Sequence, residues 1–179
     1  MKNIKKKTAL VISLAMAVSM ALTACGDSDD NDDDDEESTP AYEVPVENYI
    51  KSVQKNDADL YKKSLAKPMA DYISDKMGEE YFKEQVEEAS KELKDEYGED
   101  VKISYKVKEK EELGKEDLED LNDRFKETFE SESEITSGYR LDVEFIYTGT
   151  DISSIDEDDK DVTFEVGKID GKWAIVDLK

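Results

Sequence analysis

The chain of 179 residues contains no histidine. That absence excludes Ser-His-Asp triads, HExxH zinc sites and imidazole proton shuttles together. Cysteine occurs once, at Cys25, so no disulfide can form within the chain and no cysteine cluster can hold a metal. Arginine occurs only at Arg124 and Arg140, and every other basic residue is lysine. With only three prolines and eight glycines, no second Pro/Gly-rich linker follows residue 43, and no internal repeat is visible. The one long uncharged apolar run, Thr8 to Leu22, has about fifteen residues, short of the roughly 20 that a spanning helix needs.

What is abundant is acid. The chain has 48 acidic against 25 basic residues. Four of the lysines, Lys2, Lys5, Lys6 and Lys7, precede the apolar run, an order that reads as an export signal over residues 1–24. The chain from residue 25 onward would then hold 21 basic and 48 acidic residues, a net charge of −27. Such a charge argues against nucleic acid as a partner and against electrostatic attachment to anionic headgroups or wall polymers. The tetrapeptide Leu22-Thr23-Ala24-Cys25, followed by Gly26, resembles the bacterial lipobox. The resemblance implies a diacylated thiol as the first group of the mature chain, and more than one acyl chain makes a firm anchor. The expected location is therefore the extracytoplasmic face of the cell membrane, with lipid on Cys25 as the tether. The alternative is an incidental cysteine at the end of an anchor or of an ordinary signal peptide.

From Asp27 to Glu37 nine of eleven positions are Asp or Glu, and Ser38-Thr39-Pro40 follows. A run of this kind repels itself and buries nothing, so residues 26–42 read as an extended, disordered linker dispensable for folding. It would reach about 55–60 Å at roughly 3.3–3.6 Å per residue. Asp27, Asp29 and Asn31 have EF-hand spacing, but Asp32 stands where that loop needs glycine and Ser38 where it needs glutamate. Only weak, unspecific divalent-cation binding is expected, and no motif asks for a cofactor.

Residues 43–179 read as one domain. Val46, Tyr49, Ile50 and Val53 repeat at helical spacing after Pro45, and Asn56-Asp57 ends that helix and caps a shorter one, which Pro68 would stop. A third helix is expected from about Asp75, with Phe82, Val86, Ala89, Leu93 and Tyr97 on one stripe up to Gly98. The period then becomes two. Val101, Ile103, Tyr105 and Val107 alternate with polar residues, and Tyr139 to Tyr147 does so again after a helix carrying Leu118, Leu121, Phe125 and Phe129. Val162, Phe164 and Val166 begin a third strand, and Asp170-Gly171 is a hairpin turn into Trp173-Ala174-Ile175-Val176. Helices first and antiparallel strands last predict an α+β fold with helices on one face of a curved sheet. The expected core includes Phe82, Val86, Leu93, Ile103, Val143, Phe145, Phe164 and Trp173.

The helix break at Lys55-Asn56-Asp57-Ala58, the helical first half and the closing hairpin Gly167-Lys168-Ile169-Asp170-Gly171-Lys172-Trp173-Ala174-Ile175 resemble the nuclear transport factor 2-like (cystatin-like) superfamily, and look closest to its uncharacterised lipoprotein branches in Gram-positive bacteria. The resemblance implies a cone whose sheet wraps a long helix, with a pocket at its wide end. The helix at about 115–130 departs from that plan. Enzymes of the superfamily pair an acidic base with a tyrosine or a protonated carboxyl. Here Tyr105, Tyr139 and Tyr147 are the candidate pocket residues, but alternation puts Asp142 and Glu144 on the opposite face, where they read as solvated. Arg140, beside them, reads as a surface cross-strand ion pair in preference to an anion clamp, and Trp173 as core in preference to a sugar platform. The loop Thr148 to Asp161, with Asp156, Glu157, Asp158, Asp159 and Asp161, reads as a solvated hairpin loop, with a calcium or cationic-partner site as the alternative. The expected function is a non-catalytic binding domain for a small ligand, a wall component or an envelope protein; the alternative is a cofactor-free isomerase or dehydratase using Asp/Tyr chemistry.

Overall fold

The computed structural model describes residues 39–149 and 161–178. The expected export segment, Cys25, most of the acidic linker and Asp156 to Asp159 lie outside the described residues. Among the described residues, five helices and four strands follow one another as α1 (Val44–Lys55), α2 (Ala58–Ser64), α3 (Lys67–Met77), α4 (Glu80–Tyr97), β1 (Lys102–Glu112), α5 (Lys115–Phe129), β2 (Ile135–Thr148), β3 (Asp161–Ile169) and β4 (Lys172–Leu178). The fold is α+β, and the strands form an antiparallel sheet in the order β1-β2-β3-β4.

Local chemistry explains most helix ends. Pro45 sits in the first turn of α1, and Asn56 adopts a left-handed conformation (φ 52°) that lets its N–H reach the carbonyls of Ser52 and Val53. The Asp57 carboxylate then accepts from the N–H groups of Asp59 (3.0 Å) and Leu60 (3.1 Å), capping α2. One expectation needs correction. Pro68 does not stop a helix; it occupies the first turn of α3, where no intrahelical N–H is required. The stretch expected as one helix from Asp75 is two, divided at Gly78, whose φ of +90° favours glycine.

Register sorts the sheet into two faces. Ile103 pairs with Tyr147, Tyr105 with Phe145 and Val107 with Val143. Leu141 continues the same face to Phe164, and Tyr139 to Val166 and Ile175. Against it lie α1 and α4: Tyr49 meets the Phe164 ring edge-on at 5.5 Å, and Tyr97 stacks on Tyr147 at 4.9 Å. Of the expected core, Phe82, Val86, Leu93, Ile103, Val143, Phe145 and Phe164 are buried, whereas Trp173 is only half-buried.

The opposite face is covered in part by α5. Its Asn122 side chain behaves like a strand, donating to the Ile135 carbonyl (2.9 Å) and accepting from the Ile135 N–H (2.7 Å) at the start of β2. Replacing Asn122 with leucine would leave both main-chain groups buried and unpaired. The expected cost is about 2–3 kcal/mol, read from urea unfolding.

Both sheet edges are protected. Along β4, Leu65 forms a parallel bridge to Ile175, and Ala66 N–H donates to the Ile175 carbonyl at 2.9 Å. On β1, the Gln54 amide donates to the Ile103 carbonyl, the register shifts between Val107 and Glu109, and lysines recur along the strand. Bulges and edge lysines discourage further strand pairing.

Candidate binding site

The three candidate tyrosines share the helix-facing side of the sheet but not a pocket. Tyr147 is buried against Tyr97 and lies edge-on to Phe145. Tyr105, half-buried, hydrogen-bonds Glu43. Tyr139 stacks on Trp173 with ring centres 5.4 Å apart, and Tyr42 packs on both, at 4.8 Å from Tyr139 and 6.3 Å from Trp173. The Lys110 ammonium caps this group, 5.0 Å from the Tyr42 ring and 5.1 Å from the Tyr139 ring. Tyr42, the last residue assigned to the linker, is thus packed against the sheet.

The Tyr105–Glu43 pair is the arrangement closest to Asp/Tyr chemistry. Burial first, then the negative charges of Glu43 and Glu47 and the Glu43 hydrogen bond, hold the Tyr105 hydroxyl protonated well above the usual phenol range. Glu43, however, is half-exposed at the N-terminal end of α1, open to water. A base activated by desolvation needs the enclosure that this rim position lacks.

Burial likewise raises Tyr49 and Tyr61 above the usual phenol range. For all three tyrosines the folded state holds its proton more tightly than the unfolded chain. Their contribution is complete below the ordinary value of 10.0 and is lost as pH rises above it. The expected result is a falling denaturation midpoint above about pH 10, with tyrosinate absorbance appearing together with loss of helical circular dichroism. Full ionisation of all tyrosines before any unfolding would contradict this burial.

The acids of the outer face are not all solvated. Glu165, 1% exposed, lies in a row across the sheet in which Glu111 pairs with Arg140, Arg140 with Glu165, and Glu165 with Asp177. Arg140 donates to Glu111 at 2.6 Å and to Glu165 at 3.2 Å. Arg124 reaches down from α5 to Glu165 at 3.4 Å and Asp177 at 3.3 Å. Arg140 is thus a cross-strand ion pair, partly buried between Glu111 and Glu165, while Asp142 accepts from the Thr163 hydroxyl at 2.7 Å. Burial works to lower the Arg140 pKa, but Glu165 and Glu111 outweigh it and raise it. The row is a structural ion network facing away from the tyrosines.

Among the described residues, two concavities lie at the corner where α3 meets the β3–β4 hairpin. One, of about 490 Å³, is rimmed by Asp71, Asp75, Lys76, Glu130 and Glu132. The other, of about 630 Å³, lies among α2, α3 and the hairpin. Its floor is Leu65, Ala66, Ala70, Ile169 and Ala174, all buried, and Trp173 is one wall. Only the tryptophan had been singled out from the sequence; the lysines and aspartates around it come together through tertiary packing of separate elements. Among the described residues no group of three His, Cys, Asp or Glu side chains is placed to hold a metal ion. Among the same residues no helix is long and apolar enough to cross a membrane. No known protein family and no curated protein matches the chain.

Proposed function

We propose that this chain is a lipid-anchored extracytoplasmic binding protein. Lipid on Cys25 holds it to the membrane, the acidic linker sets the domain away from the surface, and the α+β domain binds a ligand or an envelope protein without catalysis. The observation that carries the binding reading is the Trp173-walled groove, a concavity of about 630 Å³ with an apolar floor and charged rim. Among the described residues the helix-facing side of the sheet packs into the core cluster, and the buried Glu165 carboxylate is held by two arginines. Four antiparallel strands with helices on one face support the nuclear transport factor 2-like cone; α5 on the other face is the departure from it.

The isomerase or dehydratase reading ranks second, with the Tyr105–Glu43 pair as its support. Cys25→Ala tests the anchor. The expected result is loss of the protein from the membrane fraction or failure of processing, and unchanged retention with normal signal cleavage would reject lipidation.

A further inference from the structure

We propose that the groove between α2, α3 and the β3–β4 hairpin binds a neutral carbohydrate, an inference that rests on the binding reading and names its ligand class. Trp173 is the only tryptophan of the chain. It is half-buried although Ala174, Ile175 and Val176 after it are all buried. Tyr139 stacks on it and Tyr42 meets it edge-on, so the indole is held in place before any ligand arrives. A fixed aromatic wall beside the aliphatic floor of Leu65, Ala66 and Ala70 offers surface for the C–H faces of a sugar ring.

The rim selects against the other ligand classes. Lys63 and Lys172 present donors, and Asp59 and Asp170 present acceptors, all four exposed. Lys62 and Lys67, also in the lining, are already engaged by Glu79 and Asp71. Donors and acceptors in balance suit hydroxyl groups, which do both. The four lysines and three aspartates of the lining nearly cancel, so neither a free anion nor a free cation meets a one-signed set of partners there. A purely apolar ligand would strip water from the rim charges without replacing their hydrogen bonds. A groove of about 630 Å³ is of small-ligand size.

Trp173 is also the reporter. The full chain in mild detergent is titrated with chitotriose, cellotriose, maltotriose and mannotriose while indole emission is followed. A saturable blue shift with at least one of them is expected, with a dissociation constant on the order of 1 mM or tighter. For that sugar, amino-bearing and sulfated derivatives should bind at least about tenfold more weakly. Calorimetry with Trp173→Phe should show affinity reduced about tenfold. Lys63→Ala with Asp59→Ala, both exposed, should reduce it several-fold with the melting temperature unchanged. No saturable change with any of the four up to about 10 mM overturns the proposal. So does binding that is unaffected by both sets of substitutions. Tighter binding of a charged derivative, lost in Trp173→Phe, overturns the proposal of a neutral ligand while leaving a binding groove in place. The Cys25→Ala experiment reads the anchor separately.

Discussion

Replacing Phe164 with alanine is expected to cost about 3–5 kcal/mol of folding stability, the range for removing a fully buried aromatic ring. Phe164 is 0% exposed, faces Leu141 across the β2–β3 ladder, and touches the rings of Tyr49 and Phe145. It joins α1 to the middle of the sheet, and neither neighbour can collapse into the vacancy without leaving other contacts. For a domain of this size the melting temperature should fall on the order of 10–20 °C. Ile146→Ala, at an exposed position on the other face, is the control and should change stability by about 0.5 kcal/mol or less. A Phe164→Ala cost below about 1 kcal/mol would mean that the helix-facing side of β3 is not the core. Urea unfolding with an unchanged m-value separates lost packing from a changed unfolded state.

The second large effect is expected at the ion row. Arg124→Met with Arg140→Met leaves Glu165, 1% exposed, without a cation, and should cost at least about 3–5 kcal/mol. Each single replacement should cost less, because the other arginine still reaches one of the two Glu165 oxygens. The double change should therefore exceed the sum of the singles. Adding Glu165→Leu should recover most of the loss, since it removes the one fully buried charge that the two replacements left unsatisfied. Glu111 and Asp177 remain, but both reach water. Additive single effects, or no recovery in the triple variant, would show that the row is not coupled through Glu165.

Which parts of this architecture were legible in the chain follows from how local their causes are. The strands around Ile103–Val107 and Leu141–Phe145 announce themselves because one face is buried and the other meets water, so alternation is written into the residues. Asn56-Asp57 and Asp170-Gly171 carry their turns in their own side chains and backbones; Asp170 and Gly171 both have positive φ (51° and 77°). Helix α3 was not legible, since a proline reads equally as the end of one helix or the first turn of the next.

Composition alone therefore bounded the chemistry: no imidazole, one thiol and an acid excess. Periodicity supplied the α+β order and most of the core. Tertiary structure decided what each polar residue is for. Glu165 looks like any solvent-facing acid of an alternating strand until α5 closes over it and Arg140 and Arg124, 25 and 41 residues away in sequence, converge on its carboxylate. Trp173 looks like core until Tyr42 and Tyr139 settle beside it and leave part of the indole lining a groove. The reason is common to both. Burial of apolar stripes is a short-range pattern repeated along the chain, whereas a charge partner or a concave surface exists only once register and helix packing bring distant segments together.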